Sequence, residues 1–126
     1  MPRVLLVGLD PQTVDFTDPA LPPGMSAEKV LAGVAIAMQQ MADRGWQGEN
    51  FMFHPATAAE ELAARLAGHS YDCIVVGAGV RLPSRNVQLL ETVINAIAGA
   101  APGTPIAFNT VPHDSADAAA RWLGPS

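Results

Sequence analysis

Residues 71–86, YDCIVVGAGVRLPSRN, constrain the fold more than any other stretch of this chain. Cys73, Ile74, Val75 and Val76 form a continuous apolar run rich in β-branched residues, which suits a strand covered on both faces by helices. Such a strand is expected to be parallel and central. The run ends at Gly77 and Gly79, which permit backbone angles or close approaches that a side chain forbids. Arg81 and Arg85 follow on either side of Pro83, ahead of a helix expected to begin near Ser84 or Asn86. Two positive charges beside a helix N-terminus suit an anion, because free N–H groups and the helix dipole favour negative charge there. The alternative is that the glycines only make a turn, with the arginines solvated or paired with nearby carboxylates.

The rest of the chain repeats the same unit. Residues 3–9, RVLLVGL, read as a first buried strand that leaves Asp10 at its carboxyl end. Residues 11–24, PQTVDFTDPALPPG, contain four prolines and the aspartates Asp15 and Asp18, so they form a long loop rather than a helix. A loop of that length is expected to act as a lid or binding segment, or as a proline-stiffened cover or subunit contact. Ser26 is a suitable N-cap for a helix over 27–44, with Val30, Val34, Met38 and Met41 on one stripe and Gly33 allowing close approach to the sheet. The less apolar segment 49–54, ENFMFH, reads as an edge strand. Thr57 and Glu60 have the spacing of a capping box for a helix through Leu62 and Leu66. A helix over 87–98 buries Leu90, Val93, Ile94 and Ile97; a strand at 106–108 then ends at Asn109 and Thr110. The last helix, capped by Asp114 or Ser115, turns Ala116, Ala119, Ala120 and Leu123 inward and stops at Gly124-Pro125.

Strand and helix therefore alternate four times, the pattern of a parallel sheet with helices on both faces. The expected architecture is a single α/β domain over 1–126, a three-layer α/β/α sandwich whose four parallel strands run in the order 2-1-3-4. The first and third strands take the centre because their apolar runs are the most continuous. Ligands of such sheets bind outside the carboxyl ends of the strands where chain order reverses. Here that crevice lies between strands one and three. The candidate ligand-binding residues are Asp10, Gly77, Gly79, Arg81, Arg85 and Asn109, with His54, Thr110 and His113 at the shoulders. An aspartate with two arginines suits a small anionic or zwitterionic ligand, the guanidinium groups gripping carboxylate or phosphate. A salt bridge between Asp10 and Arg81 is the competing arrangement.

Composition removes several function classes. Charged residues make up 15% of the chain and apolar residues 49%, so a packed globular core is expected rather than disorder. The net charge of -5, with Lys29 the single lysine, argues against duplex nucleic acid and anionic membranes. No run of 18 apolar residues offers a membrane span, and no charged segment followed by an apolar core precedes the first strand. A cytoplasmic location is the resulting expectation. Cys73 is the one cysteine and falls inside a strand, where core packing is expected of it. His54, His69 and His113 have no metal-ligand spacing, so no metal site is expected. Ser84, His113 and Asp114 are a formal hydrolase trio without the G-x-S-x-G elbow. No catalytic residue or cofactor is assigned.

By its order of elements the chain resembles small flavodoxin-like and receiver-like α/β proteins, and the Rossmann-like sheet is of the same kind. The resemblance implies the layered fold and a site at the carboxyl edge. It does not extend to the motifs: Asp10 stands where receivers carry an acidic cluster, and Gly77-Ala78-Gly79 where they carry a phosphoacceptor. Asp10-Pro11-Gln12-Thr13-Val14 replaces the phosphate loop of a flavodoxin. Two functions remain from different classes. One is a module or enzyme that uses the crevice for a small anionic ligand, with Arg81 and Arg85 as anion grips and Asp10 as base or metal-facing carboxylate. The other is a homodimeric interaction protein, built through the proline-rich loop and an apolar, alanine-rich helix face, with no small-molecule ligand.

Overall fold

A computed structural model describes residues 1–123, apart from the side chain of Arg85. The Arg85 guanidinium, expected as a second anion grip, and Gly124-Pro125, expected as a helix stop, lie outside the described residues. Four strands, β1 (Arg3–Leu9), β2 (Gln47–Phe53), β3 (Cys73–Val76) and β4 (Ile106–Phe108), form one sheet in the order β2-β1-β3-β4. All three pairings are parallel: Leu6 lies opposite Asn50 on one side and Val75 on the other, and Val76 lies opposite Phe108. The helices are α1 (Ala27–Asp43), α2 (Ala58–Leu66), α3 (Ala78–Arg81), α4 (Val87–Ala100) and α5 (Ser115–Leu123).

The sheet separates two cores because side chains alternate between its faces. Leu5, Val7, Ile74 and Val76 pack with Leu62, Leu66, Val93 and Ile97 of α2 and α4. On the other face Val4, Leu6, Cys73 and Val75 pack with Ala37 and Met41 of α1 and with Ala116, Ala118 and Ala119 of α5. Every residue of 4–7 and 73–76 is buried, as central strands require. Burial pushes the Cys73 thiol up to about 11, so it stays protonated and acts as core filler.

Local details depart from the sequence reading. On α1 the buried line is Gly33, Ala37 and Met41, whereas Val30, Val34 and Met38 are half-buried. The small residues let the helix turn its thin side inward. Gly33 meets the loop after β4 rather than the sheet: a Cβ there would lie 2.9 Å from the Pro112 Cβ. The start of α2 is held by Glu61 instead of Glu60. The Glu61 carboxylate accepts from the Thr57 hydroxyl at 2.6 Å and from the His54 N–H at 3.0 Å. On α5, Ala118 is buried and Ala120 exposed. The loop after β3 contains the short helix α3 with Gly77 as its N-cap, followed by a 3-10 turn over Ser84–Asn86.

Candidate functional site

The carboxyl ends of β1 and β3 meet through backbone rather than side chains. Gly77 N–H donates to Val7 O at 2.8 Å, and a Cβ on Gly77 would lie 3.3 Å from that oxygen. This close approach explains a glycine at the end of β3. Beside it, Asn109 is only 2% exposed and joins three segments. Its Oδ1 accepts from Ala78 N–H at 2.8 Å, and its Nδ2 donates to Ser115 Oγ at 2.9 Å. Ser115 Oγ in turn donates to Pro112 O at 2.6 Å. The start of α3 is thereby locked to the start of α5.

Asp10 serves the backbone of the first loop. Its N–H donates to Phe53 O at 2.9 Å, and its carboxylate caps the 3-10 turn Pro11–Thr13 by accepting from Gln12 N–H at 3.0 Å. Among the described residues Asp10 and Arg81 form no ion pair with each other. Arg81 instead donates through Nη2 to Asn109 O at 2.6 Å, and its guanidinium lies 5.5 Å from the centre of the Phe108 ring. Its Nε is buried with no hydrogen-bond partner. The guanidinium is thus directed to the β4 side of the crevice.

Between β1, β2 and α1 lies a cavity of about 90 Å³. Its floor is Leu6, Gly8, Asn50 and Met52, the residues of β1 and β2 that face α1, and Val30 and Val34 of α1 form a wall. The 11–25 segment closes it with Pro11, Val14, Phe16, Leu21, Pro22 and Met25. Gly77, Ala78, Gly79 and the 109–112 segment complete the rim. The loop can turn its apolar residues inward because its aspartates satisfy its backbone. Asp15 Oδ1 accepts from Thr17 N–H at 3.0 Å, and Asp18 Oδ1 from Ala20 N–H at 2.8 Å, both Asx turns.

Of the six residues singled out by sequence, Gly77, Gly79 and Asn109 line this cavity; Asp10 and Arg81 are not among its lining residues. The sequence reading missed Gly8, Asn50 and Met52. A signal for them exists, since a glycine inside an apolar strand marks a bulge or a close approach. A Cβ built on Gly8 meets nothing within 4 Å, and the same is true of Gly79. No charged side chain lines the cavity among the described residues, and no group of three His, Cys, Asp or Glu side chains able to hold a metal ion occurs among them. Nor is any described helix long and apolar enough to cross a membrane. No protein-family model matches this chain, and no curated protein matches it either.

Proposed function

We propose that this chain binds a small molecule at the carboxyl edge of its sheet, with an apolar part of the ligand seated beneath the 11–25 loop. The observation that carries the reading is the apolar cavity at the β1 end of the crevice. A side chain at position 8 would have filled part of it. Open α/β sheets bind ligands at this place, and binding pockets are mostly apolar with a few fixed polar groups. In this reading Gly77, Gly79 and Asn109 belong to the site. Asp10 and Arg81 brace its rim by holding loop backbone, and an anion grip by Arg81 is disfavoured because that side chain does not line the cavity and its Nη2 is directed to Asn109 O.

The test is a thermal-shift screen of neutral and anionic small molecules against the native chain, Gly8→Val and Arg81→Ala. A ligand at a hundredfold excess over its dissociation constant adds about 2.7 kcal/mol of stability. Stabilisation lost in Gly8→Val and kept in Arg81→Ala supports the cavity; the opposite pattern restores the anion grip. A second reading, self-association, is favoured by the outer face of α1. There Leu31 and Ile36 are 50% and 49% exposed beside the exposed Ala32 and Ala35. Light scattering of the native chain against Leu31→Glu tests it, a dimer that dissociates in the variant being the supporting result.

A further inference from the structure

The polar groups around the cavity say which kind of molecule it accepts, provided that the cavity is a ligand site. We infer that the ligand is uncharged, that it presents a hydrogen-bond donor to the side-chain oxygen of Asn50, and that the missing side chain at Gly8 sets the width of the group it inserts.

Asn50 stands in the middle of β2, opposite Leu6, and points to the α1 face together with Leu6, Gly8 and Met52. Its Nδ2 donates to Leu6 O at 3.2 Å. Because a carbonyl can only accept, that bond fixes the amide orientation and leaves Oδ1 facing away from the strand. No described residue donates to this oxygen, and it is not among the buried polar atoms that lack a partner, so it is accessible from outside the protein. The other polar side chains of the lining are committed. Asn109 is used at both ends of its amide, and the Thr110 hydroxyl donates to the Asp114 carboxylate. What remains on offer is acceptance, at Asn50 Oδ1 and at the lone pairs of Thr110 Oγ1, together with the second hydrogen of the Asn50 amide.

An acceptor-rich, cation-free apolar cavity discriminates by charge. A carboxylate or phosphate entering it loses water and finds no cation, with oxygen lone pairs beside the one unused Asn50 amide hydrogen, a costly exchange in an apolar surrounding. An amide or hydroxyl meets its complement. Width follows from Gly8. With no Cβ there, a slim group reaches the β1 backbone between Leu6 and Met52, whereas a valine would occupy that space. At about 90 Å³ the cavity is smaller than the roughly 150 Å³ that holds a benzene ring. The inserted part is accordingly a chain or branch of about three or four carbons.

Three probes of nearly equal shape test this: isobutyramide, methyl isobutyrate and sodium isobutyrate, titrated by NMR against the isotope-labelled full chain. Isobutyramide is expected to shift the Asn50 side-chain amide and Gly8 N–H signals. It should bind about fivefold more tightly than the ester, the factor of one neutral hydrogen bond, and isobutyrate should bind more weakly still. Gly8→Val should abolish the response to all three. Asn50→Leu should remove the preference for the amide over the ester; Asn50→Thr, which also withdraws the amide, gives the same readout if the leucine variant does not fold. A Gly8→Val-sensitive site that prefers isobutyrate, or whose amide preference survives both Asn50 variants, overturns the inference and leaves the cavity as the ligand site. Absence of any response, or a response unchanged in Gly8→Val, overturns both.

Discussion

Glu49 and Asn50 are neighbours on one strand, yet they face regions with opposite economies of polar groups. Glu49 points to the α2 face near the amino edge of the sheet, where Arg3 Nη2 and Arg65 Nη2 donate to its two oxygens at 2.7 and 2.9 Å. The Tyr71 hydroxyl adds a third bond at 3.0 Å. Both guanidinium groups also lie over aromatic rings, Arg3 at 4.9 Å from the Tyr71 centroid and Arg65 at 5.3 Å from that of Phe51. Asn50 points to the α1 face, toward a cavity where its oxygen is unspent. A cluster whose charges answer one another holds strands and helix in register, and it has little left to offer a ligand. The pocket, with an open strand position and an unbonded acceptor, has no such set of mutual bonds.

Four perturbations would break or sharpen this contrast. The largest effect is expected from Glu49→Ala, which strands Arg3 and Arg65 without their carboxylate and removes the acceptor of the Tyr71 hydroxyl. Allowing for partial exposure, the loss is about 2 to 3 kcal/mol in urea unfolding, with ligand response retained. If Glu49→Ala unfolds no more easily than the native chain, the amino edge is not the stabilising end. Gly8→Val should have the opposite sign, since it replaces glycine in a strand and fills apolar space: a gain of about 1 kcal/mol, measured in the same experiment, with binding lost. A destabilised Gly8→Val chain would mean that the position is packed.

Gly33→Ala probes the contact between α1 and the rim residue Pro112. Its new Cβ would press on Pro112, an overpacking cost of about 1 to 3 kcal/mol partly offset by the better helix propensity of alanine, for a net loss of about 1 kcal/mol. Calorimetry that finds a gain instead would show that the 110–112 loop yields easily.

The smallest effect concerns acid. The Glu49 carboxyl is held below its ordinary value of 4.5, chiefly because the Arg3 guanidinium donates to it, while Glu61 is lowered chiefly by the Thr57 hydroxyl. A folded-state value below the unfolded one contributes stability that is present above pH 4.5 and is lost as pH falls through the folded values. Urea unfolding followed from pH 6 downward should therefore weaken below about 4.5, with a shallower slope in Glu49→Gln. Equal slopes in the two proteins would remove the amino-edge carboxylate as the source.

Much of the fold was legible from hydrophobic continuity alone. The runs at 4–7 and 73–76 occupy the centre of the sheet, and the more polar second strand lies at an edge, because only a strand covered on both faces can be apolar at every position. Helix faces were less legible. Of the stripe Val30, Val34, Met38 and Met41 that periodicity selects, only Met41 is buried; close helix-to-sheet and helix-to-loop contact rewards small residues, so Gly33 and Ala37 are the others. Side-chain partners were not legible: the sequence offers Arg81 an anion or Asp10, and the fold brings Asn109 O within 2.6 Å of it.

The sequence by itself determined the alternation of elements, the parallel sheet and its order, since these follow from local period and from which runs demand burial on both faces. Only the tertiary structure decided that Glu49 would gather two arginines and a tyrosine from residues 3, 65 and 71, and that Gly8 would open onto a cavity closed by the 11–25 loop. Partner choice and empty space depend on contacts between segments distant along the chain. Local periodicity carries no record of them.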